Sequence, residues 1–206
     1  MTTVTPTVGR PSPKMILIWA LLVAVFASAI IDVVQPVALV DIAKSFNILP
    51  GTAARLSSFS AIASVITALL LGAFGFRFKY KTLVVAGVIL IASCAIGLYL
   101  APNFQLAQLV FPLNGIGSVL IIVTTQTFIG NSYQLDKKAK AIGWVTAAST
   151  LANAVGAPVA GYMTGISSWR SVLIWLMLPA AVASLVFVFV VFPRNLQAPH
   201  LSPWEP

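Results

Sequence analysis

Residues 15–40 read MILIWALLVAVFASAIIDVVQPVALV, a run in which Asp32 is the only charged side chain. A bilayer core about 30 Å thick is crossed by about 20 apolar residues in a helix, so this run is long enough to span a membrane. Five more such runs follow it, at Leu56–Gly75, Thr82–Ala101, Leu106–Gly130, Ala141–Gly165 and Ser171–Phe192. None alternates polar and apolar residues with a period of two, which argues against a membrane barrel. Because no water reaches the hydrocarbon core to bond backbone groups, each run should be a helix. The sequence predicts an all-α polytopic membrane protein with six transmembrane helices.

The composition excludes the other common classes of protein. Of the 206 residues, 59% are hydrophobic and 8% are charged, whereas a soluble domain has about 25% charged residues. The single cysteine, Cys94, excludes a disulfide scaffold. One histidine, His200, and four carboxylates leave no predicted metal site, cofactor or paired catalytic acids, so no enzyme activity is predicted. The net charge is +8, but the basic residues are spread along the chain, which argues against nucleic acid as a partner.

The basic residues predict that both termini are cytoplasmic. With the N-terminus inside, nine Lys and Arg residues lie on the inner side and three on the outer side, which agrees with the positive-inside rule. The inner nine are Arg10, Lys14, Arg77, Lys79, Lys81, Lys137, Lys138, Lys140 and Arg194, and the outer three are Lys44, Arg55 and Arg170. The predicted organisation is a cytoplasmic N-terminal tail at 1–14, a six-helix bundle at 15–192 and a cytoplasmic C-terminal tail at 193–206.

Polar residues at helical spacing mark four of the six runs. These residues are Ser28, Asp32 and Gln35 in the first run, Ser60, Ser64 and Thr67 in the second, Asn114, Ser118, Thr125 and Gln126 in the fourth, and Thr146, Ser149 and Asn153 in the fifth. Polar side chains in a membrane normally face the bundle or a wet cavity. We therefore expect these four helices to face inward and the third and sixth to be peripheral. The alternative is that the stripes are contacts between helices, or hydroxyls bonded to their own helix.

Asp32 is the only ionisable acid or base within the six runs. A bare charge there costs about 2.5–3.5 kcal/mol on insertion scales. Asp32 is therefore a predicted proton carrier, or the counter-ion of a cationic substrate. The alternative is a structural carboxylic acid, hydrogen-bonded to Gln35 or to a neighbouring helix.

Small residues and prolines interrupt the fifth run. Gly156 and Gly161 belong to faces with small residues at every fourth position, which let helices approach closely. Pro158 removes one backbone hydrogen bond and is expected to kink the helix. Pro36, Pro112 and Pro179 are expected to act in the same way in the first, fourth and sixth runs. Transporters use such broken helices to place binding groups at mid-membrane depth.

Four segments together resemble a known family of proteins. They are IIDVVQPVALVDIA at 30–43, GAFGFRFKYK at 72–81, PLNGIGSVLI at 112–121 and GAPVAGYMTGISSWRSVLIWLMLPAA at 156–181. The chain resembles the N-terminal six-helix half of a major facilitator superfamily transporter, particularly a drug–proton antiporter. The residues that match the family patterns include Asp32, Gly72, Arg77, Lys81, Asn114, Gly156, Gly161, Trp169, Arg170 and Pro179. The resemblance implies two inverted three-helix repeats, with Gly72, Arg77 and Lys81 in the loop signature that takes part in gating.

The chain departs from the family patterns at several positions, and three of them bear on gating and proton coupling. The acid of the loop signature falls on Phe76, and its later glycine falls on Lys79. The fourth-helix arginine that family members use in proton coupling falls on Phe111. A proton relay would therefore depend on Asp32 alone.

The length of the chain is that of one family half, since members usually have about twelve helices in two halves. It is interpreted either as a fragment or as a half-size protein that pairs with itself or with a partner chain. The second and fifth helices, which carry small residues, would then make the contact between the halves.

The resemblance implies a membrane transporter of the prokaryotic plasma membrane that exports small amphipathic or cationic molecules by alternating access, coupled to protons. Asp32 would bind the proton or substrate, and the neutral polar lining would be Gln35, Asn114, Gln126, Ser149 and Asn153. The alternative is a non-transporting membrane subunit or assembly factor of a larger complex, derived from a transporter half.

Overall fold

The computed structural model describes residues 13–133 and 135–191, and every regular element in these ranges is a helix. The helices are α1 (Pro13–Val37), α2 (Leu39–Ser45), α3 (Pro50–Ala53), α4 (Arg55–Phe74), α5 (Tyr80–Leu100), α6 (Phe104–Val110), α7 (Pro112–Ser132), α8 (Leu135–Ile166), α9 (Trp169–Val172) and α10 (Leu178–Val191). A 3₁₀ turn at Gly75–Arg77 follows α4, and a π-helical turn at Leu173–Met177 joins α9 to α10. The predicted C-terminal tail and most of the predicted N-terminal tail lie outside the described residues.

Five helical segments in the described ranges are long and apolar enough to cross a membrane. They are Trp19–Val37, Pro50–Phe74, Tyr80–Leu100, Phe104–Ser132 and Trp169–Val190. They coincide with the first, second, third, fourth and sixth predicted runs, and the chain is an integral membrane protein. The fifth run lies in α8, a helix of 32 residues that is about 48 Å long at 1.5 Å per residue. Its serines, threonines, glycines and Asn153 make it less apolar than the other five, so a sixth span remains a prediction.

The prolines coincide with helix irregularities in three of four cases. α1 ends at Val37, just after Pro36, and α6 is separated from α7 by a break at Phe111, just before Pro112. The π-helical turn at Leu173–Met177 precedes Pro179, whose missing N–H cannot bond to the carbonyl one turn earlier. Around Pro158, in contrast, α8 stays one uninterrupted helix.

Two helices, α1 and α7, occupy the middle of the bundle. α1 packs against α8, α10 and α7, and α7 packs against α5, α4 and α1. α5 also packs against α10. Exchanging α1 with α7, α4 with α8 and α5 with α10 leaves this set of contacts unchanged. That is the packing symmetry expected of two three-helix repeats, whose inverted relationship remains a prediction.

The expectation that the third and sixth helices are peripheral is wrong for one face of each. α5 buries a continuous stripe that includes Val84, Val88 and Ile91, and α10 buries Ala181, Ser184 and Val188. The cause is a close approach of two backbones: a Cβ added to Gly87 of α5 would lie 2.8 Å from the Gly117 carbonyl oxygen of α7. Glycines let α5 pack directly on α7. The most exposed span is instead the one that contains α4. Only 11% of its most apolar stretch is buried, against 65% of that of the span in α1.

A cluster of aromatic rings fastens one end of the bundle. The Trp169 Nε1–H donates to Ser45 Oγ at 3.0 Å, and the ring of Phe46 lies 6.0 Å from those of Trp169 and Phe104. The Arg170 guanidinium donates to the Ala101 carbonyl oxygen at 3.0 Å and lies over the rings of Phe46 and Trp169. The Trp-Arg pair thus connects α9 to the α2 end of the first span and to the end of α5.

Candidate functional site

Three helices, α1, α4 and α7, border a cleft of about 360 Å³ that is open on one side. We call it the polar cleft. Its polar lining residues are Asp32, Gln35, Ser57, Ser60, Ser64, Asn114 and Ser118. The i, i+3 and i, i+4 spacing of these residues places each set on one face of its helix, and the packing of α7 against both α1 and α4 brings the three faces together.

Asp32 is the centre of the hydrogen bonding in the polar cleft. The Asn114 amide Nδ2 donates to Asp32 Oδ1 at 2.9 Å. The Ser118 hydroxyl, one turn further along α7, lies 3.4 Å from Oδ1 and 3.5 Å from Oδ2 of the same carboxyl group. Asn114 and Ser118 are buried, whereas Asp32 is exposed to the cleft. The carboxyl group therefore faces the open space of the cleft, and two buried neutral donors on α7 hydrogen-bond to it.

The second hydrogen bond across the cleft joins α1 to α4. The Ser57 hydroxyl donates to Gln35 Oε1 at 2.6 Å. Gln35 is one turn from Asp32 on α1, so the two contacts bind successive turns of the same helix to different neighbours. Both α4 and α7 are thereby attached to α1 next to its proline.

The wall between α4 and α7 depends on Gly115. A Cβ added there would meet the Ser60 carbonyl oxygen and would lie 2.6 Å from the Ser60 and Ser64 hydroxyl oxygens. The backbone of α7 thus lies directly against the serine face of α4. Ser64 in turn donates to the Ser60 carbonyl oxygen at 2.9 Å, within its own helix.

One polar atom of the site has no partner. Asn114 is 3% exposed, and its Oδ1 atom makes no hydrogen bond in the structure. Burying a polar atom without a partner costs about 1–3 kcal/mol. The hydrogen bond from Nδ2 to Asp32 is therefore the side-chain bond that holds the Asn114 amide in place.

Of the six predicted binding residues, the structure brings together Asp32, Gln35 and Asn114. Gln126 is exposed on α7, two turns beyond Ser118, and does not line the polar cleft. Ser149 and Asn153 lie on α8, on the other side of α1, and do not line it either. Whether any of the six binds a substrate or a proton is still a prediction.

Sequence reasoning did not select four of the polar lining residues, or the apolar Phe111, as binding groups. Ser60, Ser64 and Ser118 belong to the predicted polar stripes, so their spacing was a usable signal. Ser57 and Phe111 gave no such signal in the sequence, because Ser57 is close to a loop and Phe111 is apolar.

The other predicted residues support the packing of helices around the site. Gly156 and Gly161 face α1, since a Cβ added to them would lie 3.6 Å from Ile30 and 3.8 Å from Val37. Pro158 is exposed. In the loop signature, Gly72 has open space around it, and Arg77 ends the 3₁₀ turn. Lys81 Nζ lies 3.4 Å from the Phe189 carbonyl oxygen, which connects α5 to α10.

The described residues contain no group of three or more His, Cys, Asp or Glu side chains that could hold a metal ion. The polar cleft offers one carboxylate, two amides and several hydroxyls, which suit the binding of a cation or of a hydrogen-bonding solute.

The sequence model of the Major Facilitator Superfamily matches residues 20–205, which include the polar cleft and all the described helices beyond the first turns of α1. The chain belongs to the major facilitator superfamily. This is a superfamily of membrane transporters. The chain is also 27% identical over 185 residues to the uncharacterized MFS-type transporter YcnB of Bacillus subtilis (strain 168). That match covers 88% of this chain and 38% of YcnB, so the chain spans about two-fifths of the length of this superfamily relative.

Proposed function

We propose that this superfamily chain forms one half of a proton-coupled exporter of small amphipathic or cationic molecules. Asp32 binds the proton and the substrate cation in turn, and the polar cleft opens to the two sides of the membrane by alternating access. The observation that carries the proposal is the Asp32 carboxyl group, held by Asn114 and Ser118 and facing an open cleft. An intramembrane acid in such a place is normally functional.

Charge supports the choice of a cation. Of the described residues that line the polar cleft, Asp32 alone carries a charge. A substrate cation would therefore supply the missing counter-charge, and a proton would compete with it for the same oxygen atoms. The volume of about 360 Å³ is within the range of about 300–1,000 Å³ that is typical of small-molecule sites.

The second half of the transporter would cover α4 and α8. α4 exposes Ile62, Val65, Ile66, Leu69 and Leu70, and α8 exposes Leu151, Val155 and Val159. Both faces are apolar and exposed, as a contact with the helices of a partner half would require. In this proposal α8 is the sixth span, both termini are cytoplasmic, and a second copy or a separate six-helix half closes the polar cleft in a prokaryotic plasma membrane.

The test is substrate flux in vesicles that carry an imposed pH gradient, with the chain reconstituted together with any half that co-purifies with it. Asp32→Asn is expected to abolish gradient-driven export of a cationic dye and to leave the yield of folded protein unchanged, because the amide cannot release a proton. Asp41→Asn is the matched control. Asp41 belongs to α2, lies 3.9 Å from Lys44 Nζ and does not line the polar cleft. Full export by Asp32→Asn would refute the proton-carrier role.

The alternative is a non-transporting subunit that holds a larger membrane complex together. It is favoured by the weakened loop signature, in which Phe76 and Lys79 stand where the resembled family has an acid and a glycine. A chain that purifies in fixed proportion with proteins unrelated to transporters, and shows no flux with them, would support this alternative.

A further inference from the structure

A second, apolar space lies next to the polar cleft. It is a narrow crevice of about 20 Å³, lined by side chains from α1, α2, α4, α5, α6, α9 and the π-helical turn. We call it the apolar crevice. Its far end reaches Phe46 and Trp169 in the aromatic cluster, and Gln35 is the one polar residue among its described lining residues.

Two residues, Gln35 and Phe111, line both spaces. The two cavities are therefore neighbours, separated by these side chains. Phe111 and Asn114 are one helical turn apart, and the Asn114 N–H donates to the Phe111 carbonyl oxygen at 3.0 Å. Phe111, which borders the apolar crevice, is thus about one helical turn along α7 from the residue that bonds Asp32.

The two separating side chains are held in different ways. Gln35 is held by the Ser57 hydroxyl at 2.6 Å. Phe111 is 7% exposed and stands at the break between α6 and α7, where Pro112 interrupts the helical hydrogen bonds. Its ring has no polar atom, so packing alone fixes its position.

We infer that the apolar crevice takes the hydrocarbon tail of an amphipathic cation whose charged head binds at Asp32, and that Phe111 sets the length of tail that is accepted. This inference rests on the proposed function, since it requires a cation at Asp32. It adds a second binding region and a specificity-determining residue. An amphipathic ligand suits the pair of spaces because one is polar and charged and the other is apolar along nearly all of its wall.

The size of the apolar crevice predicts how affinity depends on tail length. A cavity needs about 10–15 Å³ to hold one water molecule, so about 20 Å³ accepts only the first carbon atoms of a tail. Each methylene that becomes buried tightens binding about fourfold. Affinity in the unmodified chain should therefore rise over the first carbons and then level off, once the space left beside the Phe111 ring is filled.

The experiment measures binding of a series of n-alkyl-trimethylammonium ions, from methyl to hexyl, to the full chain in lipid nanodiscs. Asp32→Asn nanodiscs give the partition into lipid, which is subtracted. Phe111→Ala is expected to let affinity rise for at least two further methylenes, a gain of about 15-fold for the longer tails. Phe111→Trp is expected to make affinity level off at a shorter tail.

Phe128→Ala is the matched control, because Phe128 is a buried phenylalanine on the same helix that lines neither cavity. Phe111→Leu replaces Phe111→Ala if the latter does not fold. Asp32-dependent binding with the same tail dependence in the chain and in its Phe111 variants would overturn this inference and leave the proposed function standing. No Asp32-dependent binding of any member of the series would overturn both.

Discussion

Gly115 is the residue at which α7 comes closest to α4. The backbone of α7 can reach the Ser60 carbonyl oxygen because no side chain stands between them. That contact fixes the separation of two walls of the polar cleft. Asn114, the preceding residue, is thereby directed towards Asp32 on the third wall. The position of the Asn114 amide, which is the hydrogen-bond donor, therefore depends on the adjacent Gly115, although Gly115 has no side chain and makes no side-chain hydrogen bond.

Gly115→Ala should consequently destabilise the protein by about 1–3 kcal/mol, the usual cost of forcing extra atoms into a packed interface. It should also weaken cation binding, because α7 must move away from α4 and take Asn114 with it. Thermal unfolding of the purified protein in detergent measures the first effect, and binding of a small ammonium ion measures the second.

Gly143→Ala gives the comparison for Gly115→Ala. Gly143 lies within α8 and has nothing within 4 Å of an added Cβ, so alanine there should be neutral, or stabilising by up to about 1 kcal/mol. Equal melting temperatures for the two variants would show that the close approach at Gly115 does not limit packing.

At the scale of the helices, the short elements α2 and α9 hold together the ends of much longer ones. Ser45 ends α2, and Trp169 begins α9 more than a hundred residues later. The hydrogen bond between Trp169 Nε1 and Ser45 Oγ joins these two ends at 3.0 Å. Ser45 also donates to the Ile42 carbonyl oxygen at 3.0 Å, which orients its oxygen as an acceptor.

Ser45→Ala should therefore cost about 1–3 kcal/mol, because it leaves the buried indole N–H of Trp169 without an acceptor. The measurement is chemical unfolding followed by tryptophan fluorescence. The matched change is Ser93→Ala, since the Ser93 hydroxyl is exposed on α5 and donates only to Ile89 of its own helix, at 2.8 Å. An equal loss of stability in both variants would mean that the link between α2 and α9 contributes nothing.

The helices also show how far sequence reasoning reaches. Five of the six apolar runs agree with candidate spans to within six residues at each end, because the length of an apolar run indicates where a helix can cross a bilayer. The spacing of Asp32 and Gln35, and that of Asn114 and Ser118, predicted which faces would meet, since each pair shares one side of a helix.

The rotation of the other helices could not be predicted, because it is set by packing. Ser149 and Asn153 have the same spacing as the residues of the polar cleft, yet the neighbouring Ala152 and Gly156 are the residues that pack against α1. α5 carries few polar residues, and only its contact at Gly87 with Gly117 shows that one of its faces is buried. Phe111 could be recognised as a cleft residue only once the break between α6 and α7 was known.

At the scale of the whole molecule, the least covered surface belongs to α4. Only 11% of the most apolar stretch of this span is buried, and Leu69 is 69% exposed. α10 also exposes apolar side chains, but it lies behind α1 and α5, away from the opening of the polar cleft. The proposed pairing with a second half therefore predicts protein contact at α4 and lipid contact at the outer face of α10.

Leu69→Cys should give a disulfide-linked dimer, or a cross-link to a partner half, when the protein is oxidised in native membranes. The only other cysteine, Cys94, is buried and cannot compete. Val186→Cys on α10, where Val186 is 56% exposed, should remain monomeric under the same conditions. Gel electrophoresis without reducing agent distinguishes the two, and the opposite pattern would place the pairing surface on α10.

The contacts of Arg170 bear on where labels should be attached in experiments that measure movement within the protein. Its guanidinium group is held by the Ala101 carbonyl oxygen and by the rings of Phe46 and Trp169, and none of these groups gains or loses a proton near neutrality. In the proposed function, acidifying one compartment changes the proton occupancy of Asp32, and we expect it to leave this corner unchanged. A spectroscopic label attached beside Arg170 would serve as a stationary reference point, against which the displacement of a second label near the opening could be read.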